Sequence, residues 1–121
     1  MQSFGALIDS RRPLRILCLG AHCDDIEIGC GAALLRLTGE RPVDVTWAVL
    51  CSTPPRAAEA HKSAARFLRK ARAYEVLLEA LRDGYLPAQW AQAKDTFESL
   101  KRLPRPDLIF THEREDRHQD H

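Results

Sequence analysis

Residues 21–31 read AHCDDIEIGCG, which sets His22, Cys23, Asp24 and Asp25 side by side. A second polar cluster, HEREDRHQDH at residues 112–121, places His112, His118 and His121 among Glu113, Glu115, Asp116 and Asp120. Four of the five histidines fall in these two clusters. The fifth, His61, lies in a basic stretch and reads as a surface residue. Imidazoles and carboxylates are the donors of a catalytic zinc site, which takes three of them and leaves one position for water. His22 and Asp25 are three apart, and in a helical turn such positions face one side. Both can hold one ion, while Asp24 points toward a water on it, and a residue of the second cluster completes the set. A bound ion lowers the pKa of its water from about 15.7 to near 7. A neighbouring carboxylate can take the remaining proton, and an imidazolium can stabilise an oxyanion or protonate a leaving amine. The donors suit metal-assisted amide hydrolysis. A second reading of the same residues stands beside it, in which Asp24 or Asp25 caps the following helix.

Both clusters need elements to bring them together. LRILCLG, residues 14–20, reads as a buried strand, and GCGAALLRL, residues 29–37, as a helix with Gly39 just past its end. VDVTWAVLC, residues 43–51, is β-branched and reads as a second strand. After Pro54 and Pro55, the small and apolar residues Ala57, Ala60, Ala64, Phe67, Leu68 and Ala71 recur at helical spacing, with the arginines and lysines between them on a solvated face. Residues 74–84 fit either a helix extension or a short strand before Asp83-Gly84. Trp90, Ala93, Phe97 and Leu100 mark one face of a further helix, stopped by Pro104 and Pro106. DLIFT, residues 107–111, reads as another strand, followed by a polar loop. This order predicts an α/β layered fold with a mainly parallel sheet. Ligands bind such sheets at the C-terminal ends of the strands. Both polar clusters follow predicted strands, so one edge of the sheet should hold both.

With 121 residues the chain is expected to form a single domain over 1–121. Its net charge of +1 gives no electrostatic basis for nucleic acid or a membrane surface as partner. No apolar run reaches the roughly 18 residues a membrane helix needs. The N-terminus MQSFGALIDSRRPLR lacks the pattern of a signal peptide. The four cysteines, Cys18, Cys23, Cys30 and Cys51, form no CxxC pair, so free thiols and a cytoplasmic protein are expected.

The strand followed by AHCDDIEIGCG, with PDLIFTHEREDRHQDH later, resembles the LmbE-like, or PIG-L, family of zinc-dependent N-deacetylases. The intervening RDGYLP is similar to that family too. The resemblance covers nearly the whole chain and implies a Rossmann-like fold. It implies a hydrolase, acting on linear C–N bonds, that uses zinc-activated water to remove an acetyl (acyl) group from an N-acetylated amino sugar or glycoconjugate. Zn2+ is the implied cofactor, and other divalent ions suit a His/Asp site as well. On this resemblance His22, Asp25 and His121 match the zinc ligands, and Asp24 matches the general base. His118 matches the histidine that stabilises the tetrahedral intermediate, and Asp120 the carboxylate that tunes it. Asp83 falls where the family contacts the sugar, and Arg56 is a further candidate substrate contact, with the solvated face as its other reading.

Three departures stand out. Cys23 replaces a proline of the family motif and is expected to be a tolerated small residue rather than a ligand. The motif glutamate is displaced by one position, to Glu27. The chain stops at His121, where family members continue, so the C-terminal part of the usual domain is expected to be absent. Exposed sheet edge and apolar surface would then favour a homo-oligomer. Two other functions remain open: a catalytically impaired fragment that retains the fold, and a nucleotide or S-adenosylmethionine binding module built on the glycines near residues 20–31. The latter lacks the GxGxxG spacing and leaves the second His/Asp cluster without a role.

Overall fold

Strand β1 (Leu14–Gly20) buries Leu14, Ile16 and Cys18 on one face, which is what its apolar alternation calls for. The following elements are α1 (Asp25–Glu40), β2 (Val43–Val49), α2 (Pro54–Phe67), β3 (Ala73–Leu78), a 3₁₀ turn (Leu86–Gln89), α3 (Trp90–Leu100) and β4 (Leu108–Phe110). This computed structural model describes residues 12–121; the N-terminal signal-sequence reading concerns residues 1–15, of which 1–11 lie outside that range. No helix among the described residues is long and apolar enough to cross a membrane.

The four strands form one parallel sheet in the order β3-β2-β1-β4. Ile16 of β1 lies between Val45 of β2 and Leu108 of β4. The main core joins Ile16, Cys18, Val45, Trp47 and Val49 of the sheet to Ile26 and Leu34 of α1 and Ala60 and Ala64 of α2. Trp47 and Leu34 are fully buried there. The chain steps from β1 to β2 to β3 in one direction, then crosses back to place β4 on the other side of β1. That reversal lies between β1 and β4, and a parallel sheet opens a crevice at such a point.

The α1–α2 contact depends on the lack of a side chain at Gly31. A Cβ there would lie 2.5 Å from Cε1 of Phe67. Gly31→Val is therefore expected to push the Phe67 ring aside and cost about 1–3 kcal/mol. Thermal denaturation should show a melting temperature lower by roughly 5–15 °C; an unchanged value would mean that Phe67 is not wedged there.

Asp107 fixes β4 to β1. Its backbone N–H donates to the Arg15 carbonyl at 2.8 Å, and its Oδ2 accepts the Arg15 N–H at 2.9 Å. Arg12 clasps the same carboxylate with two guanidinium nitrogens. The Arg12 guanidinium holds the Asp107 carboxyl below the usual carboxylate range; burial opposes this, and the Arg15 N–H reinforces it. A depressed folded-state pKa contributes stability above the unfolded value, about 3.9, and the contribution is lost as pH falls through the folded value. Wild type should therefore exceed Asp107→Asn in urea midpoint at pH 6, and the gap should close below about pH 4. A gap independent of pH would contradict this.

Several expectations need correction. The first helix begins at Asp25, four residues before Gly29, and runs through Gly39 to Glu40. The ambiguous segment is a strand, β3, because Val76 and Leu78 pack against the main core. The second helix stops at Phe67 rather than continuing through Ala71. Leu68 leaves the helix fully buried, and Arg72 N–H bonds to the Val43 carbonyl to start β3. The helix carrying Trp90 and Phe97 forms, but it has no buried residue, and Trp90 is 68% exposed. The predicted strands over 14–20, 43–51 and 107–111 are present, the latter two shorter than expected.

Candidate active site

His22 lies two residues beyond the end of β1, in the turn that enters α1. Its backbone N–H donates to Oδ2 of Asp25 at 2.8 Å, and this closes the turn. Asp24 occupies the N-cap position of α1, yet its carboxylate makes no capping bond and is exposed. The capping alternative for Asp24 is thereby removed, and its side chain is exposed in the turn between His22 and Asp25.

The second cluster follows β4 and folds back over the end of β1. His112 Nε2 accepts the Ala21 N–H at 3.0 Å, which couples the two strand ends. Its ring lies flat on that of His121, with centroids 3.7 Å apart and 8° between planes. His118 stacks on the other side of the group, 4.5 Å from His121 and 4.8 Å from His22. Four imidazoles and Asp25 thus converge from two stretches nearly 100 residues apart.

Each histidine's hydrogen bonds decide which of its nitrogens is bare. His22 Nε2 is 2.7 Å from Oδ2 of Asp120, a carboxylate whose side chain is 0% exposed. That nitrogen carries the proton, so Nδ1 is bare, and it faces Oδ2 of Asp25 at 3.5 Å. His121 repeats the pattern: Nδ1 meets Oδ2 of Asp116 at 2.9 Å, and Nε2 faces the same Asp25 oxygen at 3.3 Å. By contrast, His112 Nε2 and His118 Nδ1 already accept backbone N–H groups, from Ala21 and Asp120.

Asp25 faces both bare nitrogens at spacings a divalent ion uses. Tetrahedral zinc with arms of about 2.05 Å separates its donor atoms by about 3.3 Å, close to the 3.3 and 3.5 Å found between Asp25 Oδ2 and the two bare nitrogens. Each of these histidines also has a carboxylate on its far nitrogen, the arrangement that orients a metal-binding imidazole. Among the described residues three groups of donors, none of them the full set His22, Asp25 and His121, converge closely enough to hold a metal: His22, His118 and His121; Asp25, His112 and His121; and His22, Cys51 and Asp120. The last is the poorest donor set. Burial, together with the charges of Asp120, Asp83 and Asp25, pushes the Cys51 thiol up to about 12, and a thiol binds metal as thiolate. Burial and the neighbouring His121 hold His112 below the ordinary histidine range, which favours its neutral ring.

Asp120 departs from its expected partner. The resemblance places its carboxylate on His118; the structure places it on His22 Nε2 and on the N–H groups of Gly84 at 2.6 Å and Leu86 at 2.9 Å. His118 touches Asp120 only through the backbone N–H. Burial alone would raise the Asp120 carboxyl; the Leu86 N–H, the His22 ring and the Gly84 N–H outweigh it and hold the group below the carboxylate range. Asp83 brings Oδ1 to 3.3 Å from His22 Nε2 and is otherwise exposed. Arg56 lines the cavity beside His22 without touching the histidines. Cys23 is buried, its thiol turned to the Cys51 carbonyl at 3.7 Å. Glu27 lies apart from the site, accepting a hydrogen bond from Ser63 of α2 at 2.8 Å.

Two contributors had no assigned role in the sequence reading: Asp116, which anchors His121, and His112, which stacks on it. The signal available for His112 was its place directly after a strand, matching that of His22 after β1.

The similarities follow this geometry. The family described as PIG-L: GlcNAc-PI de-N-acetylase matches residues 17–121. No curated protein matches the chain. The fold is similar to that of the N,N'-diacetylchitobiose deacetylase from Pyrococcus horikoshii, solved with its inhibitor MPG, at a TM-score of 0.64 and 19% identity. All of this chain aligns with that structure and spans 55% of its length. With the family match running from β1 through both polar clusters, the chain belongs to the PIG-L family.

Proposed function

We propose that this protein is a metal-dependent N-deacetylase that removes an acetyl group from an N-acetylated amino sugar or glycoconjugate. The observation that carries the reading is the pair His22 and His121. Each is anchored through one ring nitrogen by a carboxylate, and each turns its other nitrogen to Asp25. His22, Asp25 and His121 would hold the ion, zinc being the best match to two imidazoles and a carboxylate. Bound zinc would supply Lewis-acid polarisation of a water and of the acetyl carbonyl.

The chain's own residues do the rest. Asp24, next in sequence to Asp25 and with its carboxylate making no cap bond, takes the proton of the attacking water. His118 has Nδ1 occupied by the Asp120 N–H, so Nε2 carries its proton and can donate to the oxyanion that forms on the carbonyl. Asp120 keeps His22 in one tautomer and ties it to the Gly84–Leu86 turn. Asp83 and Arg56 flank the cavity beside His22 and are assigned to the sugar. The family match and the deacetylase fold support the same chemistry. The free thiols of all four cysteines suit a cytoplasmic enzyme.

A nucleotide-binding module fits poorly. A phosphate would sit at the N-terminus of α1, where Asp24 and Asp25 place negative charge. The deacetylase reading is tested by acetate release from N-acetylglucosamine glycosides. Zinc-loaded protein should release acetate, lose this activity with a chelator and regain it with zinc. Turnover indifferent to the chelator, or none from zinc-loaded protein, would contradict the reading.

A further inference from the structure

Cys18 and Cys30 meet across the interface of β1 and α1. Cys18 is fully buried in the strand. Ile26, Cys30 and Leu34 follow one another at i, i+4 spacing, so they share one face of the helix. Ile26 and Leu34 join Cys18 in the main core, and Cys30 packs against that core between them. The Cys18 thiol donates a hydrogen bond to the Cys30 sulfur. Both are free thiols.

The two sulfurs differ in access and in acidity. Cys30 lines a cavity of about 420 Å³ together with Leu19, Phe110, Asp25, His112 and His121. Hydrogen peroxide is little larger than a water, whose share of liquid volume is about 30 Å³, so it can reach Cys30 there. Cys18 is 0% exposed and has no such access. The Cys18 hydrogen bond holds the Cys30 thiol below the ordinary cysteine range, against burial and the charge of Glu27. The same bond and burial push Cys18 up. The thiolate is the reactive form, so Cys30 reacts first, with Cys18 beside it. Cys23 and Cys51 are both buried, and the Cys51 thiol is pushed up to about 12.

We propose that Cys18 and Cys30 form a redox switch, in which hydrogen peroxide converts them to a disulfide that ties α1 to β1 and weakens the metal site. The Cys30 thiolate attacks one peroxide oxygen, the O–O bond breaks, and hydroxide leaves, with Cys30 now a sulfenic acid. The Cys18 sulfur then attacks the Cys30 sulfur, the S–O bond breaks, and a second hydroxide leaves. The two hydroxides take up the two thiol protons. Two thiols and one peroxide thus give one disulfide and two waters.

The effect on the site follows from the helix. Sulfurs in hydrogen-bond contact must close to about 2.05 Å, which draws α1 toward β1. Asp25, the first residue of α1, shares that helix with Cys30. Its Oδ2 is the atom that His22 and His121 both face, and a close-packed interior transmits such a shift. This consequence rests on the metal reading above; formation of the disulfide does not.

The test treats the whole chain, reduced and loaded with zinc, with hydrogen peroxide. Free thiols are then counted after denaturation, and zinc affinity is read by competition with a chromogenic chelator. Two of the four thiols should be lost. Cleavage at Asp24, Asp25 or Glu27 separates the two cysteines in sequence, so the peptides should stay joined until reduced. Zinc affinity should fall by about 10- to 100-fold, the range for disturbed support of a metal ligand, and recover with dithiothreitol. Cys30→Ala and Cys30→Ser should keep their remaining thiols and their zinc affinity under the same treatment. Cys18→Ala should stop at a Cys30 sulfenic acid, trapped by dimedone. Thiol loss that persists without Cys30, or a Cys18–Cys30 disulfide at unchanged zinc affinity, would overturn the proposal. If the reduced chain binds no zinc, the metal reading fails and the switch fails with it. If it binds zinc and keeps four thiols after peroxide, only the switch fails.

Discussion

Asp24→Asn is expected to lower kcat by about 10²- to 10⁴-fold, the usual contribution of a positioned general base, while zinc stays bound. Asn is nearly isosteric with Asp and equally acceptable at a helix N-cap, so α1 should still begin at Asp25. The carboxylate makes no cap bond whose loss could unsettle the turn. The variant gives up only a favourable charge at the helix N-terminus, worth about 0.3–1 kcal/mol. Asp25, proposed as a ligand, keeps its contacts to the His22 N–H and to His121. A loss of turnover at unchanged zinc content would therefore locate the defect in proton transfer. Turnover equal to wild type would remove Asp24 from the role of base.

His22→Ala should have the opposite signature, with metal lost before any question of chemistry arises. Losing an outer hydrogen-bond partner of a metal ligand typically costs about 10- to 100-fold in affinity, and removal of the ligand itself should exceed that. The substitution also takes a ring from the stack against His118 and leaves Asp120 without its imidazole. Asp120 retains the Gly84 and Leu86 N–H groups, so the turn they belong to should persist. The backbone bond from residue 22 to Asp25 is likewise independent of the side chain. Competition against a chromogenic chelator would measure the effect, with circular dichroism to show that the sheet remains. Wild-type zinc affinity in His22→Ala would take His22 off the ligand set.

The elements that carry the site were legible because local pattern determines them. LRILCLG and VDVTWAV are runs whose buried faces lie against α1 and α2, and the two polar clusters follow strands directly. The start of α1 was misplaced by four residues because Asp25, Ile26 and Glu27 read as part of the polar cluster. In the fold they form the first turn, with Ile26 buried. The β3 segment was ambiguous because its choice between helix and strand depends on pairing with β2, a contact that local periodicity does not encode. The exposure of Trp90 and Phe97 on α3 has the same origin: amphipathic spacing indicates a helix, but what covers its apolar face depends on the rest of the fold.

Within the site, the residue types and the proximity of the two clusters followed from the sequence and the family resemblance. The hydrogen bonds that assign roles did not. Asp120 reaches His22 across 98 residues of chain, and the anchoring of His121 by Asp116 depends on how the last loop turns. Those contacts set which imidazole nitrogens are bare, and they exist only once β4 has paired with β1.

Zinc content of the purified protein, measured by elemental analysis without a histidine tag or chelator, tests the central claim most directly. The account predicts about one zinc per chain in the wild type, the complement of a single three-ligand site. It predicts that the ion is absent from His22→Ala and present in Asp24→Asn. A wild-type protein that carries no metal and takes none up on titration would contradict it.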